Sequence, residues 1–220
     1  MKLTESMLKD LIRRVMNKDK KKKAPDTYPA EECSLYTIDE GEIVYCLIVA
    51  PDGQNVGLVA AKKPQKDCNF AVQVKNVATA EKYRGKGFGK FLYYAAEILG
   101  KEYQGLTGGI TSDHEESSSQ DAKNTWRGMY AKDYIVPVNP KQGQAKFDYS
   151  GDETPNVETD DCDLPSDGQP AVDYAFKFSK SLRSKYSKLF RRMVKNSKNN
   201  PIPEDEVGKR IMDLWDKSYK

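Results

Sequence analysis

Three glycines stand at alternate positions, Gly85, Gly87 and Gly89, interleaved with the cations Arg84, Lys86 and Lys90. The run Val77-Ala78-Thr79 precedes them and the apolar pair Phe91-Leu92 follows. The pattern therefore reads as a strand, a glycine-rich turn and the first turn of a helix. Amides at a helix N-terminus lack internal acceptors, and the helix dipole favours negative charge there. Glycine lets an anion approach that backbone with no Cβ in the way. Cations around the same spot complete a cradle for a pyrophosphate. A tight strand-to-helix turn would also account for the glycines. It would not account for three cations placed where the dipole is already positive, an arrangement that costs stability unless an anion lies close.

Two common phosphate loops do not fit. A Walker loop built on Gly89-Lys90 needs a glycine at position 84 and Ser or Thr at 91, and the chain has Arg84 and Phe91. A dinucleotide fingerprint needs G-x-G-x-x-G, not three glycines at alternate positions. What fits is R-x-x-G-x-G, formed by Arg84, Gly87 and Gly89. This resembles the acetyl-CoA signature of the GNAT superfamily N-acetyltransferases, in which Gln or Arg is followed by two residues, Gly, one residue, and Gly or Ala. The element order from about Glu32 to Ser179 is similar to that family's as well.

The resemblance implies an α/β (α+β) fold, a mixed and mainly antiparallel sheet flanked by helices. It implies that main-chain groups of Val77, Ala78 and Thr79 bind the pantetheine arm of acetyl-CoA. Arg84, Gly85, Lys86, Gly87, Phe88, Gly89 and Lys90 would hold its pyrophosphate. On the later helix, where family members carry an Asn, an Ala and an aromatic near Ala122 to Trp126, the Asn slot falls on Ser119. The implied activity is transfer of an acetyl group from acetyl-CoA to an amine by direct attack in a ternary complex.

Such a transfer needs a base for the attacking amine and a proton donor for the leaving thiolate. The family's fourth strand often supplies a Glu, but Phe70 to Thr79 contains no carboxylate; its charged or amide residues are Gln73, Lys75 and Asn76. The family's Tyr slot falls near Trp126-Arg127, which leaves Tyr130 as the nearest thiolate donor. His114, in Asp113-His114-Glu115, is a candidate proton relay, although a loop histidine is also an ordinary surface residue. Ser117 to Ser119 lack a nucleophile-elbow pattern, so a serine hydrolase is not indicated. A catalytically silent GNAT-fold interaction or virion-assembly module is the alternative to an enzyme.

The elements that would position these residues can be traced along the chain. Candidate strands are Ser34 to Ile38, Ile43 to Ala50, Val56 to Ala61 and Phe70 to Thr79, rich in Val, Ile and Tyr and separated by turn residues. A helix is expected from Lys90 to Leu99, ended by Gly100. Gly105 to Thr111 is the fifth strand candidate, Ser117 to Tyr130 a helix, and Tyr134 to Val138 and Ala171 to Phe178 further strands. A basic helix from Lys177 to Lys198 carries an apolar stripe of Leu182, Tyr186, Leu189, Phe190 and Met193. Its cations form either a solvated face or a docking surface for nucleic acid or an acidic protein. Glu204 to Ser218 is the last helix.

Three regions follow from this reading. Residues 1–31 hold an amphipathic helix and a lysine-rich linker. Residues 32–179 form the acyl-CoA domain, with an acidic insertion at 139–170. Residues 180–220 form a basic helical extension. Met1 to Met16 resembles the N-terminal segments of many tailed-phage proteins, which implies a phage-encoded chain.

The chain has 220 residues, a net charge of +3 and 31% charged residues. No apolar run approaches the roughly 18 residues of a membrane span, and no secretory signal is evident. A soluble protein in the cytoplasm of a bacterium or phage-infected host is expected, without membrane partners. Four widely spaced cysteines and a single histidine give no zinc spacing and no disulfide framework, so no metal is expected. The amine acceptor and the oligomeric state are not encoded in any motif.

Overall fold

A computed structural model of the chain describes residues 27–63, 71–112, 120–138 and 175–218. The N-terminal helix and most of its linker, His114, Ser119, Cys68, Cys162 and the acidic insertion lie outside the described residues. Seven strands form one mixed sheet: β1 (Ser34–Asp39), β2 (Ile43–Val49), β3 (Asn55–Lys62), β4 (Val72–Thr79), β5 (Ile110–Ser112), β6 (Ile135–Val138) and β7 (Ala175–Phe178). The spatial order is β1-β2-β3-β4-β5-β7-β6. All neighbours run antiparallel except β4 and β5, which are joined through a helix as a parallel pair must be.

The hairpins are set by short acidic side chains. Asp39 accepts the Gly41 amide at 2.9 Å and Asp52 accepts the Gln54 amide at 3.1 Å, each turning the chain locally before the next apolar run begins. Helices α1 (Phe88–Gln104), α2 (Gln120–Tyr130), α3 (Lys180–Asn199) and α4 (Glu204–Ser218) cover the sheet. One face is packed by α1 and α3. Phe91, Leu92, Tyr94 and Leu99 of α1 and Tyr186, Phe190 and Met193 of α3 share a core with Leu35, Val44, Cys46, Ile48, Val59 and Val72. The opposite face carries Leu47, Val49 and Leu58, which Val207, Ile211 and Leu214 of α4 cover. The near-continuous apolar run of β2 is explained by this arrangement, since both its faces are buried.

Several boundaries differ from the sequence reading. The first helix does not stop at Gly100. It starts two residues earlier, at Phe88, and ends at Gly105, whose left-handed φ of 69° lets its amide bond back to the Gly100 carbonyl. Gly100 instead serves close packing: a Cβ there would lie 2.6 Å from Cβ of Val72. The fifth strand is only Ile110–Ser112, not Gly105 to Thr111. Lys177 belongs to β7, opposite Val136, and the basic helix begins at Lys180.

Candidate functional site

The glycine-rich turn lies between β4 and α1. A short 3-10 turn, Glu81–Tyr83, leaves β4, and Gly85 and Gly87 then take φ values of 72° and 89°, the left-handed region where an L side chain is strained. These two positive φ values swing the chain into the first turn of α1 with Gly87 as its N-cap. Tyr83, fully buried, sets its ring edge-on against Phe88 at 5.4 Å, so the turn is anchored from below by two aromatics. The Phe88 side chain is therefore a structural anchor, and only its amide is available to a ligand.

The amides of the turn divide sharply. Arg84 donates to the Glu81 carbonyl at 3.0 Å and Lys86 to the Tyr83 carbonyl at 3.4 Å. Phe91 donates to the Gly87 carbonyl at 3.2 Å. The amides of Gly85, Gly87, Phe88, Gly89 and Lys90 meet no acceptor among the described residues. Nothing lies within 4 Å of where a Cβ would stand on Gly85 or Gly87, and Gly89 has only Thr79 Oγ1 at 3.8 Å. Unaccepted donors at the positive end of a 17-residue helix, beside glycines that leave room on the turn, are an arrangement that can take an anion without help from a side chain.

The cations are placed around it with different reach. Arg84 and Lys86 are exposed on the turn itself. Arg84 Nε donates to the Thr79 carbonyl, and Lys86 Nζ donates to the Thr27 hydroxyl at 2.7 Å. Lys90 leans away from the turn, its ammonium 5.1 Å from the centre of the Tyr134 ring. Thr27 and Tyr134 are neighbours of the cradle that no local pattern indicated, because each reaches it from a distant stretch of chain.

Among the described residues β4 pairs with β5 at Val72 with Ile110, Gln73 with Thr111, and Val74 with Ser112. On its other side β4 stays paired with β3 up to Thr79, with a register shift between Ala60 and Ala61 that leaves Lys75 as an extra residue. This bulge bends β4 just beyond Val74. The Ala80 amide donates to Val56, and a Cβ on Gly57 would stand 2.7 Å from the Ala78 carbonyl, so Ala78 directs its main-chain groups to β3. By alternation the main-chain groups of Val77 and Thr79 face away from β3. The Thr79 carbonyl on that side accepts from Arg84 Nε, so the edge offers the main-chain groups of Val77 and the amide of Thr79, whereas Ala78 is turned to β3.

Other groups named from the sequence are distributed differently. Tyr130 ends α2 half-buried, edge-on to Phe176 of β7 with centroids 6.5 Å apart. Trp126 is buried against Tyr93 of α1 and Phe176. Thr111, opposite Gln73, is buried with no hydrogen-bond partner for its hydroxyl among the described residues. Cys33 and Cys46 are buried free thiols. Burial pushes Cys33 up to about 12 and Cys46 further in the same direction, so neither supplies a thiolate near neutral pH. A groove of about 880 Å³ lies at the β1 edge, lined by residues of β1, α1, α3 and α4. With β2 and β3 between β1 and β4, that groove is separate from the cradle.

A parallel strand pair beside a bulge, followed by a turn of unaccepted amides at the start of a helix, makes this α/β domain a candidate for binding an anion. Residues 8–129 match the acetyltransferase (GNAT) family, more than half of the 220 residues, and the chain belongs to that family. The match spans β1 through β5, the cradle and nearly all of α2, and stops before Tyr130, β6, β7, α3 and α4. The seven-stranded mixed sheet flanked by helices agrees with that fold.

Among solved structures the chain is similar to a candidate streptothricin acetyltransferase from Bacillus anthracis str. Ames in complex with acetyl coenzyme A. The identity is 22% over 46% of this chain and 51% of that one, with a TM-score of 0.35. It is also similar to nourseothricin acetyltransferase (15% identity, 49% and 71% covered, TM-score 0.34). A third is a candidate acetyltransferase from Deinococcus radiodurans R1 (16% identity, 60% and 97% covered, TM-score 0.34). The chain spans about half the length of the first of these. No match to a curated protein was found. Among the described residues no helix is long and apolar enough to cross a membrane.

Proposed function

We propose that the protein is an N-acetyltransferase that moves an acetyl group from acetyl-CoA to an amine acceptor by direct attack in a ternary complex. The observation that carries this reading is the set of five amides at Gly85, Gly87, Phe88, Gly89 and Lys90 that meet no acceptor among the described residues, in a turn that carries two exposed cations. Acetyl-CoA supplies an activated thioester. The chain's residues hold it: the amides and the side chains of Arg84 and Lys86 bind the pyrophosphate, and Lys90 adds charge behind them. The outward main-chain groups of Val77 and the amide of Thr79 pair with the pantetheine amides as a further strand would. This fixes the thioester along the edge of β4, where the acceptor amine meets it. Tyr130 is the proposed proton donor to the thiolate, with His114 and Ser119 as further contributors on the stretch between β5 and α2.

Calorimetric titration with acetyl-CoA, comparing the wild type with Gly87→Glu, tests the binding step. A carboxylate in the cradle repels the pyrophosphate, and unchanged affinity refutes the assignment. The absence of any Asp or Glu on β4 favours a second reading, a GNAT-fold interaction module without turnover. Labelled acetyl-CoA incubated with polyamines, amino acids and peptides separates the two, since acetylation above the uncatalysed rate eliminates the silent module.

A further inference from the structure

Helix α3 presents one uninterrupted cationic face that neither the cradle nor the core uses. Lys185, Lys188, Arg191, Arg192, Lys195 and Lys198 are all exposed, and no Asp or Glu occurs between Lys180 and Asn199. At 100° per residue these six fall within an arc of roughly 140°, in a row about 20 Å long. They stand three or four residues apart, so like charges are neighbours throughout the row, which destabilises an isolated helix. None of the six forms an ion pair among the described residues; the one salt bridge of α3 is Arg183 to Glu97, on the buried side. The N-terminal turn carries no acid and no side-chain cap, so the helix is not arranged for its own electrostatic benefit.

We infer that this face binds the phosphate backbone of a double-stranded nucleic acid. A double helix presents about one negative charge per 1.7 Å of axis, matching a 20 Å row of closely spaced cations. The other exposed positions of α3 are Lys180, serines and asparagine, with no exposed aromatic or aliphatic side chain. Arg191, Lys195 and Lys198 also border the groove at the β1 edge, where Tyr103 is exposed, whereas Lys185, Lys188 and Arg192 have no such apolar neighbourhood to anchor a protein partner. A membrane-surface helix would need its apolar stripe free, but Tyr186, Phe190 and Met193 are buried in the core. The absence of stacking residues also disfavours single strands. Recognition through phosphates alone is independent of base sequence.

The test uses the full chain and a labelled 30-base-pair DNA duplex of arbitrary sequence, followed by fluorescence anisotropy between 50 and 200 mM salt. The wild type is expected to bind with a steeply negative dependence of log affinity on log salt. Replacing Lys188, Arg192 and Lys195 together by Gln should weaken binding at least tenfold at 100 mM salt and reduce the slope by about 2 to 3. Lys188→Arg with Arg192→Lys keeps the charge and should keep both affinity and slope, which separates charge from helix integrity. No binding at 50 mM salt overturns the inference. So does equal binding by the triple Gln variant, which would place the contact on the lysines at 18–23. A polyglutamate peptide displacing the duplex at equal charge concentration also overturns it, in favour of an acidic protein.

Discussion

Arg84 donates its Nε to the carbonyl of Thr79 at 3.3 Å, so the first cation of the turn is tied to the last residue of the strand that precedes it. The contact leaves the terminal nitrogens of the exposed guanidinium without a protein acceptor among the described residues, and it ties the turn to the end of β4. Arg84→Ala is expected to weaken acetyl-CoA binding about five- to tenfold at low ionic strength, with the difference shrinking in high salt as screening removes the charge contribution. Arg84→Lys should recover part of the charge but not the fork that serves carboxyl and phosphate oxygens together. Calorimetry at two salt concentrations checks both outcomes.

Gly87 and Gly89 separate conformation from space. Gly87 has φ 89°, so Gly87→Ala strains the backbone by about 1 kcal/mol or more although nothing blocks its Cβ. Gly89 lies in the first turn of α1 at ordinary helical angles, and its Cβ would meet only Thr79 Oγ1 in van der Waals contact. Gly89→Ala is therefore expected to fold with stability equal to or up to about 1 kcal/mol above the wild type. Its affinity for acetyl-CoA should stay within a few fold, while Gly87→Ala loses both stability and affinity. Urea unfolding beside a titration of each variant measures the contrast.

Gly100 illustrates packing against local propensity. Alanine is favoured over glycine in a helix interior by up to about 1 kcal/mol. A Cβ at Gly100, however, would sit 2.6 Å from Cβ of Val72 and close to both its methyl groups, in the contact between α1 and β4. Overpacking of this kind typically costs 1–3 kcal/mol, roughly enough to cancel or exceed the gain. Gly100→Ala should lower the urea midpoint, and Gly100→Ala with Val72→Ala should not recover the loss, because alanine keeps the Cβ that makes the closest contact. A raised midpoint in the single variant would show that α1 shifts freely over β4.

The cradle was legible because its whole logic is local: glycine and cation types at fixed spacing, between a β-rich run and an apolar helix. The first four strands were legible for the same reason. The bulge in β4 was not, since it is the extra residue Lys75 in the register with β3, a relation between strands. The helix end expected at Gly100 failed because that glycine answers to Val72, a contact 28 positions away in sequence. The apolar stripe of α3 marked a buried side but not what it covers: Tyr186 meets Phe91, Tyr94 and Phe178. Thr27 and Tyr134 reach the cradle cations by the same kind of long-range placement.

Glu97 joins three elements and gives the fold a pH dependence. From α1 it accepts the Phe178 amide of β7 at 3.1 Å and pairs with Arg183 of α3. Burial raises its pKa above the usual carboxylate value, and the Phe178 and Arg183 contacts lower it only in part. An acid whose pKa is higher in the folded state binds its proton more tightly there. Its contribution to stability is thus fully present below the unfolded value of about 4.5 and declines as pH rises through the folded value. Glu97→Gln keeps an acceptor for the Phe178 amide and removes the titration, and Arg183 remains partly solvated. Relative to Glu97→Gln, the wild type should be at its most stable near pH 4 and lose ground toward pH 7. Thermal unfolding of both proteins at those two pH values measures the change. A difference that is flat, or that moves in favour of the wild type with rising pH, would mean that the Arg183 pairing outweighs the burial.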